Sequence, residues 1–353
     1  MPLPEQTPDS AQSRDLLLDA MRALSVLRVL VVHTLNRYNT DALTVLSFVH
    51  PGMPLVFAVS GSLTYRALTR EGADIESFYR GRLRRILLPL WLYGGLVLAL
   101  LVPLDLLLRH PWHDVPWEQT WRWIVPLAGP IASQASKILV LHLWFVPPFL
   151  WLIAMAPLLV ALHRRAPGLG AAAALAASAA LELSHNNVPG AFADTLAFSV
   201  AFQAGFFWAD GRLQSLHSVS LAAAAAACWT LGFLLHRHLT PGLLLYSVPV
   251  AHVLVGLAAL PLWNLGRAPL ERAFAQTWLA AFSSLLNRRS YTLFLWGPGA
   301  GAIAWRLSEH VPEEAKFLAH AGGSLAILAV FVGIFGRVED AAKRRTLKLQ
   351  PAA

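Results

Sequence analysis

The chain has 353 residues, of which 56% are hydrophobic and only 14% charged, with a mean hydropathy of +0.53. That balance excludes a soluble globular enzyme or a disordered chain and places the protein among polytopic membrane proteins. A net charge of +8 would suit a nucleic-acid binder, but these charges follow topology, and no nucleic-acid partner is expected. Cys228 is the single cysteine and lies in an Ala-rich stretch, which excludes a disulfide framework and a zinc motif.

Segments of about 20 apolar residues cross a bilayer. Ten such stretches lie at about 19–38, 50–69, 86–108, 141–162, 168–184, 192–209, 218–236, 242–264, 289–309 and 315–336. With the N-terminus inside, 20 of the 28 Lys and Arg fall on the inner side and seven on the outer, with Arg28 inside the first stretch. The positive-inside rule then gives an all-α, polytopic integral membrane bundle of about ten transmembrane helices, N- and C-termini cytoplasmic. The expected division is a polar cytoplasmic tail over 1–15, a membrane domain over 16–337 and a basic tail over 338–353 lying on the inner leaflet. The first residues lack a basic start and a cleavage site, so the first span is expected to be retained.

The first stretch, Leu16–Tyr38, carries Arg22 and His33. Eleven residues return a helix to nearly the same face, so the two groups share one side, about 16 Å apart. Ionisable groups at membrane depth normally face a protein interior or a wet cavity, which makes the pair a candidate site. Alternatively, Arg22 snorkels to the headgroups and His33 satisfies a backbone carbonyl. The second span places Ser60 and Gly61 near mid-membrane, where small residues permit close helix approach. Before the third span, Arg80, Arg82, Arg84 and Arg85 crowd together ahead of Pro89. Such a cluster can hold a phosphorylated ligand, or it can serve as topology signal and anionic-lipid contact.

The outer segment after the third span contains Trp112, Trp117, Trp121 and Trp123. They suit an interfacial aromatic belt or a stacking surface for a sugar. His142 and Trp144 open the fourth span, and Pro147 with Pro148 predicts a kink one turn in. His236, His238 and His252 lie in later spans, but their spacing supports no haem site. Metalloprotease, phosphate-loop, dinucleotide and nucleophile-elbow patterns are missing, and no metal is expected. RRSYTLFLWGPGAG opens the ninth span and carries Tyr291.

Four of these stretches together resemble the membrane acyltransferase 3 family of polytopic bacterial O-acyltransferases. An Arg, ten residues and a His in the first helix are matched by Arg22 and His33. Phe57, Ser60 and Gly61 match the family's F-x-x-S-G in the second helix. Arg82, Arg85 and Pro89 match its basic segment, and His142, Leu143, Trp144 and Phe145 its HLWF entrance. The late S-Y-x-x-Y-L-x-H pattern is kept at Ser290, Tyr291 and Leu295 but departs at Phe294 and Gly297, the latter standing where the His would be. The resemblance covers residues from about 15 to 337, and the soluble domain fused to some relatives is not expected here.

The resemblance implies transfer of an acyl group, acetyl in the simplest case, from cytosolic acyl-CoA to a hydroxyl of an extracytoplasmic glycan or glycosylated small molecule, at the cytoplasmic membrane. His33 is the candidate base, since a neutral imidazole in a partly dry site suits proton removal from a hydroxyl. Arg22, Arg82, Arg84 and Arg85 would grip the donor's phosphates, with Ser60, Gly61, His142, Trp144 and Tyr291 as further site residues. Asp105, Glu182, Asp194 and Glu309 are candidate carboxylate partners of His33, and Asn36 and Arg37 follow it on the same face. A transporter or flippase using the same Arg and His is the main rival, but it predicts duplicated halves with matching broken helices, which the sequence does not display. A non-catalytic membrane scaffold is the second rival.

Overall fold

The computed structural model describes residues 15–35, 38, 40–107, 117–130, 137–184, 190–239 and 245–347, and among these no strand occurs. The first helices are α1 (Leu16–Leu35), α2 (Thr40–Val49), α3 (Gly52–Thr69) and α4 (Ile75–Leu107). Two short pieces, α5 (Trp121–Ile124) and α6 (Lys137–Val140), precede a 3-10 turn over Leu141–Phe145 and α7 (Val146–Arg165). Then come α8 (Leu169–Leu183), α9 (Gly190–Ala209), α10 (Ser218–Leu239), α11 (Pro249–Leu265) and α12 (Arg267–Phe274). The chain closes with α13 (Thr277–Arg288), α14 (Ser290–Ser308) and α15 (Glu313–Leu347).

Each of the ten apolar stretches thus lies on a helix. Among the described residues, six helical stretches are long and apolar enough to cross a membrane, and a seventh is added if α11 and α12, bent by 81°, form one span. The remaining stretches miss those limits for readable reasons. α1 carries Asp19, Arg22 and Arg28, α8 is only 15 residues long, and α14 spends its middle on Gly and Pro. The kink expected at Pro147 and Pro148 is replaced by a boundary. Both prolines lie in the first turn of α7, where their missing N–H groups have no partner to lose, and the residues before them form the 3-10 turn.

The centre of the bundle is formed by α3, α9 and α11. α9 carries apolar residues on every side, as a helix surrounded by others should, and Phe198, Phe202, Phe206 and Trp208 are almost fully enclosed. α3 and α9 touch through their backbones. A Cβ on Gly61 would strike the carbonyl of Phe202, and one on Gly205 the carbonyl of Ala58. Small residues at such crossings let helices pack where lipid provides no hydrophobic drive. Phe57 stacks on Phe198 at 4.6 Å one turn away from this contact.

One end of α1 is tied down by Asp15, whose Oδ1 accepts the Leu18 N–H at 3.2 Å and caps the helix. Its Oδ2 accepts from Arg66 Nη2 at 2.9 Å and from Trp208 Nε1 at 3.1 Å, with Arg267 at 3.8 Å. α1, α3, α9 and α12 therefore meet at one carboxylate. Burial alone would raise the Asp15 pKa, but the hydrogen bonds from Trp208 and Arg66 outweigh it and hold the group below the ordinary carboxylate value. At the far side of α4, the loop helix α5 docks by placing Trp123 on Gly94, while Trp91 Nε1 donates to the Ile124 carbonyl at 2.9 Å.

Two outcomes follow. Gly61→Val is expected to lower the melting temperature of the detergent-solubilised protein, at about 1–3 kcal/mol for a forced overpacking. Gly95→Ala, where nothing lies within 4 Å, should leave it unchanged. A carboxylate with a depressed folded pKa stabilises above its unfolded value and stops doing so as pH falls through the folded one. Asp15→Asn should therefore lower the melting temperature at neutral pH and flatten its decline below about pH 4. An acid limb identical to wild type would show that another group carries it.

Candidate active site

The last turns of α1, the 3-10 turn before α7 and the first turns of α9 and α11 converge at one end of the bundle, around a cavity of about 360 Å³. From α1 come Arg28, Val29, Val32 and His33, and from α3 Met53. The 3-10 turn before α7 contributes Leu141, His142 and Trp144. Asp194 and Phe198 of α9, Pro249 and His252 of α11, and Phe294 of α14 complete the wall.

His33 and His142 meet edge to face with ring centroids 6.3 Å apart. The His142 ring is held between Tyr93 of α4, at 5.8 Å, and Phe294, at 6.0 Å. It is 3% exposed, and neither ring nitrogen makes a geometrically sound hydrogen bond, although the Leu295 backbone lies close by. The 3-10 geometry of the turn explains this placement. A tighter winding carries His142 inward while Trp144 stays 36% exposed with its ring beside Phe198 at 5.5 Å. Tyr93 fixes the turn from below by donating to the Leu139 carbonyl at 2.6 Å.

The cation beside His33 in this cavity is Arg28, not Arg22. Arg28 is 7% exposed and donates to Ser47 Oγ of α2 at 3.3 Å. Arg22 lies nearer the other end of α1, where it donates to Ser290 Oγ at 2.5 Å. There it comes close enough to Arg82 and Arg85 of α4 for the three charges to repel, and close to Glu339 of α15 for attraction. Glu339, 3% exposed, also accepts from Thr292 N at 3.1 Å and from Thr292 Oγ1 at 2.7 Å. Arg84 follows Arg82 by two residues and so lies on a different face of α4. Two polar regions result: a cationic cluster near the starts of α1, α4 and α14, and the imidazole-lined cavity at the opposite end.

The other candidates divide between the cavity and its surroundings. Gly61 is a helix-crossing residue, and Ser60 beside it is buried with its hydroxyl unpartnered among the described residues. Tyr291 packs against the central apolar cluster with its hydroxyl likewise unpartnered. Of the carboxylates, Asp194 lines the cavity, Glu182 lies close to Asp194, and Glu309 pairs with Arg306 at 3.0 Å. Asn36, Arg37, Trp112 and the Asp105 side chain lie outside the described residues. Gly297 is buried against Leu30 of α1, whose side chain occupies the space a Cβ there would enter. Sequence reasoning gave no role to Arg28 and set His252 aside. The one available signal was a lone charged or titratable residue in mid-span, which identifies the residue but not what it meets. Among the described residues, no three His, Cys, Asp or Glu are arranged to hold a metal ion.

A helical bundle with several helices long and apolar enough to cross a membrane, and an imidazole-lined cavity at one end, defines a polytopic membrane protein. Residues 15–336 match the family described as Acyltransferase domain, and the chain belongs to that membrane acyltransferase 3 family. No curated protein and no solved structure matches the chain.

Proposed function

We propose that this membrane acyltransferase moves an acyl group, acetyl by preference, from cytosolic acyl-CoA to a hydroxyl of an extracytoplasmic glycan or glycosylated small molecule. It would do so in the cytoplasmic membrane, through about ten spans with both termini cytoplasmic. The single observation that carries the reading is the meeting of His33 and His142 in one cavity beside Arg28.

The chemistry then needs few parts. His33 takes the proton of the acceptor hydroxyl as its oxygen bonds to the thioester carbonyl carbon. The carbonyl oxygen becomes an oxyanion, which the Arg28 guanidinium is placed to stabilise. When that intermediate collapses, the carbon–sulfur bond breaks and the thiolate takes the proton back from the His33 imidazolium, leaving an ester and free coenzyme A. Arg22, Arg82 and Arg85 would hold the donor's phosphates at the inner end by charge-assisted hydrogen bonds. The rise along α1 separates Arg22 from His33 by about 16 Å, a span suited to an extended pantetheine arm. Because Arg22 does not line the cavity, the reading requires a passage along α1 that opens to admit that arm.

The purified protein, given labelled acetyl-CoA and membrane glycans, should produce an acylated glycan detectable by mass. His33→Ala is expected to cut turnover by at least about 10²-fold while donor binding stays intact. Turnover retained in that variant would remove the base assignment. The double variant Arg82→Ala, Arg85→Ala should weaken coenzyme A binding and make the remaining affinity less sensitive to salt. An unchanged isotherm would return the cluster to a topological role.

A further inference from the structure

Facing the His33 and His142 pair, the same cavity has a second polar wall to which no motif assigns a role. His252, in the first turn of α11, is 2% exposed and lines the cavity with its Nε2 lacking any hydrogen-bond partner among the described residues. Asp194, one turn into α9, lines it too. Phe198, one turn further along α9, meets the His252 ring edge-on at 6.0 Å, and α9 packs against α11 there.

A buried polar atom left without a partner costs about 1–3 kcal/mol. An arrangement of this kind is favourable when a bound molecule supplies the missing partner. A neutral imidazole nitrogen can accept from a hydroxyl or donate to one, and a carboxylate accepts from a hydroxyl. Two neighbouring hydroxyls can therefore engage the two groups separately, whereas a monohydroxylated molecule whose hydroxyl is held by either group has none left to present to His33. Trp144 at the same wall offers an aromatic face to the C–H side of a sugar ring.

We infer that Asp194 and His252 determine acceptor specificity, holding neighbouring hydroxyls of a polyhydroxylated acceptor while a further hydroxyl is presented to His33. The inference rests on the acyl-transfer reading above and assigns the acceptor side of that site to these two residues. Both are positioning residues for the acceptor and take no part in moving the proton.

The test uses the full-length protein in nanodiscs with acetyl-CoA as donor and two probes in parallel, methyl β-glucoside and ethanol, the esters being quantified by mass. The readout is the ratio of kcat/KM for the glucoside to that for ethanol. His252→Leu and Asp194→Asn should each lower this ratio about tenfold or more, as expected for a lost buried hydrogen bond. His252→Gln, which keeps a donor and an acceptor, should recover part of it, and a merely structural role would not produce that recovery. Variants that slow both alcohols equally and leave the ratio at the wild-type value overturn the inference. So does a wild-type protein that shows no preference for the glucoside. A wild-type protein that acylates neither probe overturns the acyl-transfer reading itself, an outcome visible without any variant.

Discussion

The backbone contact between α3 and α9 is the constraint on which the rest of the bundle depends. Gly61 seats the Phe202 carbonyl and Gly205 seats the Ala58 carbonyl, so the helices approach as closely as two backbones can. Their distance is set by main-chain atoms rather than by side chains that repack. Met53 on α3 and Phe198 and Asp194 on α9 therefore enter the cavity at fixed positions. α11 is held by a side chain instead, because a Cβ on Gly256 would meet the rigid Pro54 ring of α3. Three helices with no freedom to slide make a rigid floor, and catalytic geometry is more exact on such a floor than on loops.

Charge in the interior is managed differently at the two ends. Near the start of α1, several charged groups have protein partners: Asp15 gathers Arg66, Trp208 and Arg267, Arg289 pairs with Asp340 at 2.7 Å, and Glu339 binds Thr292. α15 takes part in this through Glu339 and Asp340, well beyond its apolar stretch. Around the cavity, in contrast, two enclosed imidazoles keep ring nitrogens unmatched. Buried polar groups in folded proteins are nearly all hydrogen-bonded, and the exceptions gather where a function uses them.

Much of the fold was legible because it depends on local pattern. Apolar length located every long helix, and the Arg22 to His33 spacing located one face of α1. What remained hidden depends on neighbours. Periodicity states that Arg28 sits in mid-span but not that His33, His142 and His252 converge near it from three separate elements. Pro147 and Pro148 were read as a break inside a helix because the 3-10 turn ahead of them has no signature of its own. Gly61, a motif residue, turned out to face a backbone rather than the cavity, which a sequence cannot distinguish from a ligand contact.

The departure at Gly297 illustrates how such a site tolerates change. A side chain there would point at Leu30 of α1, so the missing imidazole leaves no void and Leu30 closes the gap. The neighbouring Phe294 still lines the cavity and still supports His142. The imidazoles lining the cavity are then those of His33, His142 and His252, which come from the end of α1, the 3-10 turn and the start of α11. Tyr93 also donates to the Leu139 carbonyl just ahead of the 3-10 turn, and Gly256 of α11 packs on Pro54 of α3, so contacts outside α14 hold these elements as well.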